Sequence, residues 1–468
     1  MFVSQPPKLT RRSSRQWLPF DEQRTNLRSE HNHLHGSLIH RLPAELKNLI
    51  FKLLLPSRDE WGAIGNPSRV IMPLCLTSVC RSWRDIAWSN PLLWSTIHIS
   101  LGKKVSTSHS NRINFVHKWI LRSRTMPLTL HIVVHDGLEE GMESLLDTIS
   151  QSSNRWHSLS LEIPSVEVLP TFQHRNFQCR LLKRLRIYSR EQRREKIDQI
   201  PVAFLNSEVS PEKIETRGIS FQSLQISWNH LSSATVRQFT LDEIKDLFQH
   251  ALQMTYCHID SLLPCARDFS MPPIKHERLK TLCLFSAVFM GVGTILLDSL
   301  TLPSLQEFHG QELVNLPPVS RLARRSSCPL TRINLLLCVE TNRGILDNLQ
   351  PLPGVTDLVV PAALFVESVL VEKLLSGEYF PNLSRLTLRL QPFLSLWKII
   401  ISRLLDRKRT RPDTVNEKRY FKILVIDHAR IDEFNALLWE SDIGEQLKSL
   451  KLDVSLREGG FELLTPEI

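Results

Sequence analysis

The sequence predicts a two-part α+β chain: a small three-helix module near the start, then an irregular α/β solenoid, a horseshoe, over the remainder. Three observations predict it. Apolar segments of helical spacing, punctuated by proline, crowd between Ile39 and Ile99. A short hydrophilic joint, GKKVSTSHSNR, follows from Gly102 to Arg112. Beyond it, short LxxLxL stretches recur about every 25 to 28 residues, a period expected of units that alternate one strand with one helix. The boundaries read as a polar, flexible arm at 1–37, the module at 38–100, the joint at 101–112 and the array at 113–468.

Within the module, Pro43 suits the first turn of a helix, where its missing N–H would have no partner anyway. Leu46, Leu49, Ile50, Leu53 and Leu54 then share one face, and Pro56 ends the helix. Pro73 opens a second helix, in which Leu76, Val79, Cys80, Trp83 and Ile86 recur at three- and four-residue spacing. Asn90 as N-cap and Pro91 in the first turn start a third, followed by Leu92, Leu93 and Trp94. A unit of roughly 60 residues hides only about 60% of its surface, so some of this apolar surface needs cover. Either the rest of the chain or a partner supplies it.

The order LPAEL, LIFKLLL, LTSVCRSWRDIA, NPLLW resembles an F-box, the adaptor-binding module of SCF-type ubiquitin ligases. The roomy loop from Ser57 to Met72 and the closing PLLWSTIHIS resemble especially the large F-box families of mushroom-forming fungi. The resemblance implies docking on a Skp adaptor and, through it, a link to a cullin. The positions it marks are Leu42, Pro43, Leu46, Ile50, Phe51, Leu54, Leu76, Val79, Cys80, Trp83, Leu93 and Trp94. Sequence does not separate those that touch the adaptor from those that hold the helices together; Trp83 suits either role.

In the array the strand cores centre on Leu159, Leu185, Leu224, Cys257, Leu282, Phe308, Ile333, Leu358, Leu386, Leu424 and Leu450. The polar stretches NSEVSPEKIETRG and DRKRTRPDTVNEKR fill the two widest gaps and read as surface insertions. Between strands, MESLLDTISQ, LDEIKDLFQHAL, VGTILLDSL, VSRLARRS, VESVLVEKLLS and IDEFNALLWE are candidate helices, each too short to stand alone in water. The pattern resembles leucine-rich repeats without their fixed asparagine or cysteine, so an irregular, twisted horseshoe is expected. The alternative is one open α/β sheet.

Function classes are narrowed by what is missing. The sequence holds no Walker A loop, GxGxxG, HExxH or GxSxG, so no catalytic residue and no cofactor is expected. Eight cysteines form no CxxC pair, and His31, His33 and His35 lack partners at ligand spacing, so no metal is expected. No apolar stretch approaches the roughly 20 residues that cross a bilayer, and the start has no signal-like apolar core. That points to the cytosol or nucleus and away from membranes. A net charge of +10 invites a nucleic-acid reading, but its basic clusters carry no interleaved aromatics and read better as solvated faces. One of them, Arg321, Arg324 and Arg325, could instead grip a phosphorylated target.

Together these features suggest a non-catalytic receptor whose module binds the adaptor and whose array holds an unknown protein substrate. A non-degradative interaction scaffold is the alternative.

Overall fold

The computed structural model describes residues 27, 42–55, 72–102, 109–135, 143–173, 177–191, 209–263, 271–285, 291–310, 316–335, 350–361, 379–389, 422–426, 453–458 and 461–463. The chain divides into two compact units, residues 1–97 with 118–126 and residues 98–117 with 127–468.

The first unit holds α1 (Ala44–Leu53), α2 (Met72–Val79), α3 (Arg81–Ser89) and a 3-10 turn, Pro91–Trp94. Here the expected second helix is two. Cys80 is extended, and its Sγ accepts a hydrogen bond from Trp83 N at 3.4 Å, so it caps α3 instead of continuing α2. Arg84 Nε donates to Thr77 O at 2.8 Å, occupying a carbonyl of the last turn of α2. The expected third helix is the 3-10 turn. Asn90 does cap it, accepting from Leu92 N at 3.1 Å, and Ser95 Oγ donates back to Leu92 O at 2.7 Å to close it.

Trp94 anchors this unit's core. Fully buried, it donates from Nε1 to Ala87 O at 2.8 Å. Helix α4 (His109–Arg122) reaches this unit from residue 118 onward. Its Trp119 meets the Trp94 ring edge-on at 4.8 Å, and the Arg122 guanidinium lies 4.7 Å from the same ring.

The strands are β1 (Thr96–Leu101), β2 (Leu128–Val134), β3 (Trp156–Ile163), β4 (Arg184–Ser189), β5 (Lys213–Arg217), β6 (Ser233–Arg237), β7 (Tyr256–Asp260), β8 (Ile274–Lys275) and β9 (Thr281–Phe285). They continue with β10 (Leu300–Thr301), β11 (Glu307–Gly310), β12 (Arg332–Leu335), β13 (Asp357–Pro361), β14 (Arg385–Arg389), β15 (Lys422–Ile426), β16 (Asp453–Glu458) and β17 (Phe461–Leu463). Apart from β8 and β10, which pair with each other, they form a single sheet whose order follows the chain. From β2 to β16 every pair is parallel, and only β17 turns back antiparallel on β16. The sheet is not closed: it runs from β1 to β17. Helices α5 (Glu143–Ser150), α6 (Pro170–Gln173), α7 (Leu241–His250), α8 (Val292–Ser299) and α9 (Leu316–Ser326) interrupt the strands.

Several units of this pattern each bury three apolar positions. Leu279, Leu282 and Leu284 are buried, as are Leu330, Ile333 and Leu335, and Val355, Leu358 and Val360. Register stacks them in rows: Cys257, Leu282, Phe308, Ile333 and Leu358 are successive partners, 25 or 26 residues apart. Ahead of the strands, hydroxyls stitch neighbouring units together. Thr331 Oγ1 donates to Gln306 O at 3.3 Å, Thr356 Oγ1 to Thr331 O at 3.4 Å and Ser384 Oγ to Thr356 O at 3.1 Å. This serine and threonine ladder takes up carbonyls that also accept backbone N–H groups, such as those of Thr331 and Arg332 on Gln306 O.

Two expectations fail between β4 and β6. The stretch around Leu224 is not a strand but a run of turns, with Phe221, Leu224 and Ile226 buried. Its backbone is pinned by a side chain instead of a ladder: Glu243, itself buried, accepts from Phe221 N at 2.8 Å and from Thr240 N at 2.9 Å. Conversely, the supposed insertion NSEVSPEKIETRG contains β5, whose Ile214 and Thr216 point inward between Lys213, Glu215 and Arg217. Strands β1 and β2 were also unforeseen. The strand expected at Leu450, the helices VESVLVEKLLS and IDEFNALLWE and the stretch DRKRTRPDTVNEKR lie outside the described residues. Among those described, no helix is long and apolar enough to cross a membrane.

At the first strands, His98 Nδ1 lies 2.8 Å from His131 Nδ1, and His131 Nε2 lies 3.2 Å from Glu162 Oε1. Burial, followed by repulsion from His131, pushes His98 down to about 4. Burial also lowers His258 and His276. An unfolded histidine takes its proton near its ordinary 6.5, whereas folded His98 resists until about 4, so the unfolded chain binds more protons in between. Stability should therefore fall as pH drops from 6.5 toward 4, His98 contributing about 1–2 kcal/mol once its partial exposure is discounted. His98→Gln should flatten that slope, read as urea midpoints at pH 7 and pH 4.5. An unchanged slope would remove His98 from the account.

Candidate functional site

Helix α1 starts from Pro43, which stands at the N-cap one position ahead of the expected first turn, with no side-chain cap bond. Glu45 in its first turn and Lys52 in its last both suit the helix dipole. Of its two faces, the one carrying Phe51, 1% exposed, is turned inward. Trp83 packs on Phe51 with ring centroids 5.0 Å apart, and Asn90 Nδ2 donates to Asn48 Oδ1 at 3.0 Å, tying α1 to the end of α3.

The other face is the notable one. Leu46, Leu49, Ile50, Leu53 and Leu54 follow i, i+3, i+4, i+7, i+8 spacing, the stripe that in most helices faces a core. Here all five are exposed, Leu53 at 77% and Leu49 at 54%. Val79, at the end of α2, is 58% exposed. Covering the five α1 side chains would contribute on the order of 5 kcal/mol at ~25 cal/mol per Å². A contiguous apolar stripe of this kind marks an interaction surface.

The residues marked by resemblance divide accordingly. Leu46, Ile50, Leu54 and Val79 are exposed apolar groups, and Pro43 is exposed at the start of α1. Leu42, Cys80 and Trp83 are half-buried. Phe51, Leu76, Leu93 and Trp94 form the unit's own core. Trp83 Nε1 is enclosed and has no acceptor among the described residues. Leu49 and Leu53 were not marked, although the helical spacing already placed them on the stripe. Trp88 is exposed as well, with Arg122 5.0 Å from its ring, and no sequence signal singled it out.

In the second unit, the arginines considered for phosphate are largely committed. Arg321 grips Asp298 through two bonds of 3.0 and 2.8 Å. Arg325 Nε donates to Leu300 O at 3.0 Å and Nη2 to Leu297 O at 2.7 Å, filling carbonyls at the end of α8. Arg324 and Arg325 are exposed, and through Arg321 and Arg325 this cluster staples α9 to α8. Cys179, Cys257 and Cys283 are buried small groups, and desolvation pushes the Cys179 thiol up to about 12. No group of three or more metal-binding side chains occurs among the described residues, and His31, His33 and His35 lie outside them.

The sequence model of the F-box-like family matches residues 39–100, the segment that contains α1, α2, α3 and the 3-10 turn. No curated protein matches the chain. With that match and this helical arrangement together, the chain carries an F-box-like domain at its outward-facing apolar helix.

Proposed function

We propose that the chain is the substrate-recognition subunit of an SCF-type ubiquitin ligase. The exposed leucine stripe of α1, lying inside an F-box-like domain, carries this reading. F-box domains generally bind Skp adaptors, and the stripe offers the adaptor an apolar helix face. A cullin joins through the adaptor. The chain contributes no catalysis, acts in the cytosol or nucleus and needs no cofactor. It raises the local concentration of a target lysine near a ubiquitin-loaded enzyme supplied by other subunits.

The target is held by the second unit, read as an irregular leucine-rich-repeat-like horseshoe. Strand order that follows the chain, parallel pairing and a spacing of 25 or 26 residues over β7 to β13 support that part.

Purification of the tagged full chain from cells with degradation blocked tests the proposal. Recovery of adaptor, cullin and ubiquitin-conjugated proteins is expected. Recovery of the adaptor without cullin would overturn it in favour of a scaffold.

A further inference from the structure

The geometry points to the polar face of β4, β5 and β6 as a docking surface for an extended acidic segment of a protein target. This rests on the reading that the sheet holds the target. Alternation turns Leu185, Ile187, Ile214, Thr216, Ala234 and Val236 inward. The opposite face therefore carries Arg184, Arg186, Lys213, Arg217 and Arg237 against a single carboxylate, Glu215.

That carboxylate is already engaged, accepting from the Tyr188 hydroxyl and lying 3.6 Å from Arg186. The flanking strands add Glu162, held by His131, and Asp260, 3.3 Å from Arg237. Arg217 stands in register between Tyr188 and Arg237, and Lys213 between Arg184 and Ser233. Neither has a carboxylate partner among the described residues. Two like charges directly opposite each other on neighbouring strands are destabilising, so placing Arg217 beside Arg237 carries a cost.

One row of the same sheet does neutralise itself. Along the corresponding row of β11 to β14, Glu307, Arg332, Asp357 and Arg385 alternate in sign and pair at 3.8, 3.4 and 3.0 Å. The outward face of β4 to β6 has no such alternation of sign.

Its dimensions select the ligand. Strands about 4.8 Å apart and residues rising about 3.3 Å spread the five cations over roughly 10 by 13 Å. One phosphoryl group cannot span that area, whereas carboxylates along an extended segment can. Nor is a bare aromatic shelf offered to a nucleic-acid base, because Arg186 and Arg237 lie 4.1 and 5.8 Å from the Tyr188 ring centre.

The test uses the full chain and four fluorescein-labelled probes: octaglutamate, octaglutamine, an octaglutamine bearing one phosphoserine, and a single-stranded RNA octamer. Octaglutamate is expected to bind at least tenfold tighter than the other three. Lys213→Glu and Arg217→Glu should each weaken it about tenfold, while Arg324→Glu, the same charge change on α9, should not. Melting of Arg217→Glu should hold or rise, since the new carboxylate faces Arg237. Equal loss in all three variants would reduce the effect to net charge and overturn the inference, as would preference for the phosphoserine probe or the RNA. Adaptor capture, read on the same preparations, should be equal throughout, so failure of the receptor reading shows separately as a wild-type chain that captures no adaptor.

Discussion

Replacing Leu49 and Leu53 together with lysine is expected to weaken capture of a Skp adaptor by about 100-fold while leaving the helices in place. Both side chains project from α1 into solvent, so their loss removes nothing from the unit's core. Lysine has nearly the helix propensity of leucine, and a cation near the C-terminus of a helix is favourable, so stability should move by less than about 0.5 kcal/mol. Docked, each leucine contributes about 1.5–2 kcal/mol of burial, and a buried ammonium adds a desolvation cost. Two such losses exceed the ~2.7 kcal/mol that corresponds to 100-fold. Titration calorimetry beside circular dichroism reads both halves of the expectation. Retained affinity with unchanged helicity would show that the stripe is not the docking face.

Trp94→Ala should act through the fold instead. Trp94 is fully buried, its indole N–H serves Ala87 O, and Trp119 and Arg122 close on its ring. Removing a core tryptophan costs about 3–5 kcal/mol, and the orphaned carbonyl adds to it. Because α1 packs against the turn that carries Trp94, adaptor binding should be lost together with helicity. Trp94→Phe keeps a ring and gives up the hydrogen bond, an expected loss of about 1–2 kcal/mol. Urea titrations followed by circular dichroism distinguish the two. An alanine variant as stable as the parent would mean that the core lies elsewhere.

Leu49 and Phe51, two positions apart, show where sequence reasoning stops. Spacing correctly placed five leucine and isoleucine residues on one face of α1, but a face that seeks a core and one that seeks a partner have the same composition. Phe51, off that stripe, is the large apolar residue of α1 that the unit buries. The break at Cys80 was equally hidden, since neither proline nor glycine marks it and a thiol supplies the cap. In the sheet, strands with three inward apolar residues, such as Leu279, Leu282 and Leu284, announced themselves. Strand β5 did not, because threonine fills its second inward position and charges occupy every outward one. Those same charges form the basic face, so the feature that concealed the strand is the one assigned a function.

Hydrogen exchange of the intact chain, alone and with a Skp adaptor, tests the central claim most directly. Amides of residues 44–54 and the neighbourhood of Val79 should slow on binding, and those of β4 to β7 should not change. Absence of adaptor binding, or protection that maps to the sheet while α1 exchanges as before, would contradict it.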